Sequence, residues 1–199
     1  MTAYAWYAAL AVALGAFWVI GAYQRLSRLH AQVADRYLAL DEGLMRYALW
    51  VQACLPNGIR TDVYTQPAPL EPLALDPSEE AWVRLKGALE QYVQALARVR
   101  RFPRSGGGDV MAALVLAHGT LTAAWGGAMR QRGTGQEPPT ERLELRHTRL
   151  LSQCVPLRDA YNEAVKTYNG AIAQFPALLL ARAFSFRPAD NLIRLILES

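Results

Sequence analysis

No Asp, Glu, Lys or Arg occurs before Arg25, and the stretch from Ala3 to Tyr23, AYAWYAALAVALGAFWVIGAY, is apolar, aromatic or small throughout. At 1.5 Å per helical residue it reaches about 30 Å, the thickness of a bilayer's hydrocarbon core. Tyr4, Trp6 and Tyr7 sit at one end, with Trp18 and Tyr23 toward the other. Amphipathic rings favour the two headgroup layers, so the spacing predicts a transmembrane anchor over residues 1–23, in contact with lipid through residues 3–23. A cleaved signal peptide would carry basic residues ahead of a shorter apolar core, and none are present. A soluble helix that is apolar all round would need cover on every side.

No basic residue precedes the span, whereas Arg25, Arg28 and Arg36 follow it closely. The positive-inside rule then places the N-terminus outside and residues 24–199 in the cytoplasm. Cys54 and Cys154 are expected there as reduced thiols, and without a metal-ligand spacing they read as small buried hydrophobes. The 199 residues, 52% of them hydrophobic and 19% charged, suffice for one folded domain with a real core.

Beyond the span, helical spacing recurs at Leu26, Leu29, Val33, Tyr37, Leu40, Leu44, Leu49 and Val51, and Pro56 ends the segment. Only Gly21 interrupts the join to the span, so one helix is expected to leave the bilayer and enter the domain. A proline-rich loop follows. A second helix opens at DPSEEAW, with Asp76 as N-cap and Glu79 closing a capping box. Its face runs through Trp82, Leu85, Leu89, Val93, Leu96 and Val99 to Phe102-Pro103. RSGGGD is a turn after which Asp109 caps a third helix to about Arg132. Thr140 caps a long fourth helix that Pro156 is expected to kink. With no strand-like alternation, the fold class is all-α: an N-terminal transmembrane helix followed by an antiparallel four-helix bundle with long helices.

A chemistry is harder to find. His30, His118 and His147 fall on three different helices without metal spacing, and His118 in its apolar run reads as a hydrogen-bonded core residue. RSGGGD lacks the Gly-Lys-Ser/Thr of a phosphate loop and does not follow a strand. No catalytic, cofactor-binding or metal-binding residue emerges, and no cofactor is expected. Basic residues bunch at Arg98, Arg100, Arg101 and Arg104, and again at Arg146, His147 and Arg149. Such runs are commonly a solvated face; the first is also a candidate for anionic lipid headgroups. No nucleic acid is expected, because no binding motif or aromatic interleaving accompanies them.

The sequence RDAYNEAVKTYNGAIAQFP, residues 158–176, repeats Tyr-Asn after seven residues. Seven residues are almost two helical turns, so Tyr161, Tyr168 and Phe175 share a stripe. Ala164, Val165, Ala171 and Ile172 fill the gaps between them, which makes an apolar seam of heptad type. Asn162 and Asn169 form a row beside it, and a buried amide facing a neighbouring helix can fix register. Phe-Pro marks where the helix bends or stops.

This closing stretch resembles the LemA family of bacterial membrane proteins, whose pattern is R-x-x-Y-N-x-A-V-x-x-Y-N-x-x-I-x-x-F-P followed by F-G-F-K-P. The chain supplies Arg158, Tyr161, Asn162, Ala164, Val165, Tyr168, Asn169, Ile172, Phe175 and Pro176, then Phe184, Phe186 and Pro188, with Ser185 for the Gly and Arg187 for the Lys. The family's R-R-x-D-L-I-P-N-L-V stretch is replaced by DEGLMRYALWVQACLP, with Asp41 and Arg46 as remnants, so the chain resembles a divergent member. The resemblance implies a helical bundle at a bacterial inner membrane, and no reaction. Two functions follow: a non-enzymatic protein that binds other proteins or the membrane surface, or a sensor or enzyme with an inter-helix pocket near Tyr161, Asn162, Tyr168 and Asn169.

Overall fold

The computed structural model describes residues 2–57, 59, 77–101, 108–132 and 138–192. These form five α-helices and no strand. They are α1 (Thr2–Cys54), α2 (Pro77–Arg101), α3 (Gly108–Gln131), α4 (Thr140–Ala173) and α5 (Ala177–Ala183). Of the three expected N-caps, two are displaced and one is not described. Asp76 lies outside the described residues; Asp109 sits inside the first turn of α3, and Pro139, not Thr140, occupies the N-cap of α4.

Helix α1 is continuous over 53 residues, about 80 Å. Gly21 does not break it, because proline first appears at position 56. Among the described residues two helices are long and apolar enough to cross a membrane, one in α1 and one in α3, and their apolar windows are 6% and 22% buried. The difference matters: α3 packs along α2 and sinks Leu114, Leu121 and Trp125 into the core, whereas Tyr4, Trp6 and Phe17 of α1 project outward.

Past Arg25 every long helix buries a seam whose steps alternate between four and three residues. In α1 it runs Val33, Tyr37, Leu40, Leu44, Tyr47, Val51; in α2, Leu85, Leu89, Tyr92, Leu96, Val99. Helix α3 uses Leu114, His118, Leu121, Trp125 and Ala128, and α4 closes with Tyr161, Val165, Tyr168 and Ile172. This is the a/d rhythm of knobs-into-holes packing. It corrects two expected core positions: Leu49 and Val93 are exposed because Tyr47 and Tyr92 hold the seam. It also corrects Phe175, which is 80% exposed, since α4 ends at Ala173 and the stripe ends with it. Pro156 lies on an exposed face within α4 and does not end the helix.

Helix α2 packs along α3 and α1 along α4, and α1 also touches α2 and α5. At Gly43 a Cβ would come within 3.0 Å of the Leu157 side chain, so the absence of one lets α1 and α4 close on each other. Neither cysteine is joined in a disulfide; Cys154 is buried in this seam and Cys54 is half-buried at the end of α1.

Candidate functional site

Three places concentrate polar groups. The first is a layer across the core with one ring from each long helix: Tyr47, Tyr92, His118 and His147, all buried. Tyr47 lies at the centre, its ring 6.3 Å from Tyr92, 6.1 Å from His118 and 5.5 Å from His147. Its hydroxyl is hydrogen-bonded to His147 Nε2 at 3.0 Å. The His147 ring stacks on Trp125 at 4.9 Å, nearly parallel. Burial pushes the His147 pKa down to about 4 and raises the Tyr47 and Tyr92 hydroxyls, so these three are neutral near pH 7. Buried and drawn from all four long helices, the layer suits fixing helix register better than moving protons. His147 therefore does not belong to the basic face expected of Arg146 and Arg149. Below the layer Asp41 is buried and bound to Arg100 Nε at 2.6 Å, joining α1 to α2. Its second oxygen, like the Tyr37 and Tyr92 hydroxyls, has no hydrogen-bond partner among the described residues.

The second place is the Tyr-Asn repeat, which holds an extended tail. Helix α5 ends in a Schellman turn: the Phe186 amide donates to the Ala181 carbonyl (2.9 Å), the Ser185 amide to Arg182 (3.3 Å), and Ser185 takes φ 56°. That left-handed position is the one where the LemA-like pattern has Gly. The turn sends the chain back along α4. The Tyr168 hydroxyl donates to the Arg187 carbonyl (3.0 Å) and Tyr161 to Asp190 (2.7 Å). Asn169 grips Ala189 twice, donating to its carbonyl (2.8 Å) and accepting from its amide (2.9 Å), while Asn162 accepts from Leu192 (2.7 Å). Each contact on the tail advances three residues as its helical partner steps back seven. Seven helical residues rise about 10.5 Å and three extended ones span about 10 Å, so the two rulers match. The Asn row thus meets a strand-like tail, where a neighbouring helix had been expected. A shallow hollow of about 540 Å³ lies beside it, between Arg158, Asp159, Glu163 and Lys166. Asp159 and Glu163 are exposed.

The third is an open groove of about 1600 Å³ where the C-terminal end of α1, the start of α2, the end of α3 and the start of α4 meet. Trp50, Trp82, Leu143 and Leu150 supply apolar walls, and Arg132, Arg142, Arg146 and Arg149 the charge, against a single lining acid, Glu79. Arg142, Arg146 and Arg149 stand at i, i+4 and i+7, so they form one row along α4 about 10 Å long. Among the described residues they enter no salt bridge, whereas Arg46, Arg84 and Arg158 each pair with a neighbouring acid. Arg132 donates a hydrogen bond to the Pro138 carbonyl (2.8 Å), and its Nε is buried without a partner among the described residues. Trp50 ties the groove to the polar layer, its ring 5.0 Å from Trp125.

Among the described residues no three His, Cys, Asp or Glu gather in a metal-binding group. Arg98 and Arg100 lie level with Asp41, at a different height from Arg146 and Arg149; Arg104 is outside the described residues. The groove was not legible in the sequence, because its walls come from four separated segments; the only trace was the short basic run at Arg146–Arg149. Compared with protein-family models, with curated proteins and with solved structures, the chain matches none.

Proposed function

We propose that the chain is a membrane-anchored, non-enzymatic interaction protein of LemA type, whose domain captures an acidic, leucine- or phenylalanine-bearing segment of another protein in the arginine-rimmed groove. The observation that carries this reading is the groove itself. At about 1600 Å³ it exceeds the 300–1000 Å³ usual for small-molecule sites, and its unpaired arginine row alternates with apolar walls. Carboxylates at matching spacing would meet three guanidinium groups while apolar side chains rest on Trp50 and Trp82.

The domain is an antiparallel four-helix bundle in this reading. Its support is the register of the contacts: Tyr37 with Tyr161 and His30 with Tyr168 on one side, Tyr47 with Tyr92 and Asp41 with Arg100 on the other. In both series one number rises as the other falls. Residues 3–23 span a bacterial inner membrane, with the N-terminus outside and the bundle in the cytoplasm, as the arginines after the span favour. The inter-helix pocket reading around Tyr161, Asn162, Tyr168 and Asn169 has less behind it, because their polar atoms already hold the tail backbone.

The test uses the full chain in detergent and fluorescent peptides in which Leu or Phe alternates with Glu, against the same peptides with Lys for Glu. The acidic set should bind in a salt-dependent way, and Arg142→Glu/Arg146→Glu/Arg149→Glu should weaken it about tenfold or more at unchanged circular dichroism. Equal binding of both peptide sets, or by the triple variant, overturns the proposal.

A further inference from the structure

Tyr23, the last residue of the apolar stretch, touches the segment that follows α5. Its ring lies 4.9 Å from Phe184 and 6.0 Å from Phe186. Because α1 is one unbroken helix, this contact fixes the height of the α4–α5 corner: it stands where the span ends. The corner is built unlike the rest of the domain surface. Phe175 is 80% exposed, Leu179 58% and Phe184 52%, while Leu180 and Ala181 of the same short helix are buried. Elsewhere in the domain, exposed large apolar residues such as Leu38, Leu116 and Leu145 are scattered over α1, α3 and α4, as on any soluble surface. Cations flank the corner, with Arg182 and Arg187 exposed on it and Arg25 and Arg28 exposed on the first turns of α1 past Tyr23.

We propose that Phe175, Leu179 and Phe184 seat the α4–α5 corner in the headgroup layer of the membrane that α1 crosses, with Arg182 and Arg187 facing lipid phosphates. The inference rests on residues 3–23 being a membrane span. Three arguments choose lipid as the occupant. The patch is continuous, through Tyr23, with the apolar surface of α1. Its chemistry, large apolar side chains edged by arginine, is that of interfacial segments, which sink about 5–10 Å into the boundary between headgroups and acyl chains. Its arginines lie level with the boundary, whereas Arg98 and Arg100, at the height of Asp41, stand eighteen helical residues or about 27 Å beyond Tyr23, more than twice a Debye length. The earlier candidates for headgroup contact are thereby displaced by Arg182 and Arg187. The Schellman turn gives the seating a structural purpose. It closes α5 onto the clamped tail, so that a segment held in the interface is tied to α4 by the five hydrogen bonds of the Tyr-Asn repeat.

The experiment places an environment-sensitive fluorophore at single cysteines in the full chain, with Cys54→Ser and Cys154→Ala as background. The labelled sites are Leu10→Cys in the span, Leu179→Cys on the corner and Leu145→Cys at the groove end. The protein is reconstituted in vesicles of phosphatidylethanolamine and phosphatidylglycerol, with and without lipids carrying a quencher at the top of the acyl chain. Quenching at Leu179→Cys should exceed that at Leu145→Cys by about twofold or more, as for a side chain at the interface. Quenching at Leu10→Cys with none at Leu179→Cys above the Leu145→Cys level overturns the corner seating and leaves the span intact. No quenching at Leu10→Cys overturns both.

Discussion

Asn169 and Asn162 look alike in the sequence and do different work. Asn169 binds both backbone groups of Ala189, and Asn162 only the amide of Leu192. Substitution by Ala should therefore cost about 2 kcal/mol at Asn169 and about 1 at Asn162, since a half-buried hydrogen bond is worth about 1 kcal/mol and a stranded partner adds to it. Urea unfolding of the detergent-solubilised protein checks the order; equal costs would mean the bidentate grip contributes nothing. His147 gives the fold a dependence on pH. It titrates near 6.5 when unfolded and at about 4 when folded, so between those values only the unfolded chain holds the proton. The stability tied to neutral His147 is complete above pH 6.5 and is lost as pH falls toward 4, by about 3 kcal/mol. His147→Phe should lower the plateau, because it removes the Tyr47–His147 hydrogen bond, and should flatten the slope over that interval in melts taken from pH 4 to 7.

Among the elements, the Schellman turn after α5 carries the clearest strain. Ser185 sits at φ 56°, where a Cβ crowds the backbone and glycine does not. Ser185→Gly should raise stability by about 1 kcal/mol, and a thermal melt that falls would show that the serine hydroxyl holds something the turn needs. The helices were legible because a four-three rhythm of apolar residues survives reading in one dimension. Position by position, the reading slipped where tyrosine competes with a neighbouring aliphatic. Leu49 and Val93 match a helical stripe as well as Tyr47 and Tyr92 do, and only packing selects the latter pair. The tail clamp was not legible. An amide that binds backbone twenty or thirty residues away leaves no periodicity in its partner, and Arg187–Leu192 has no pattern of its own. What the sequence did carry was the helical half of the ruler, the seven-residue repeat.

For the whole molecule, the placing of each end is the testable matter. A reporter active only in the cytoplasm should work when fused to Ser199, and one active only in the periplasm should not; the reverse outcome overturns the orientation inferred from Arg25, Arg28 and Arg36. The architecture then separates two surfaces along one helix, the aromatic corner beside Tyr23 and the arginine groove beside Trp50. They are 27 residues apart on α1, about 40 Å. On the proposed function, a partner tethered to the same membrane would have to raise its acidic segment to that height, which would set a minimum length for its linker. The unbroken helix also works as a lever arm. With residues 3–23 spanning a membrane as proposed, tilting that span by about 10°, well within the tilt range of membrane helices, would swing the groove sideways by about 7 Å. Bilayer thickness would in this way set where the groove points.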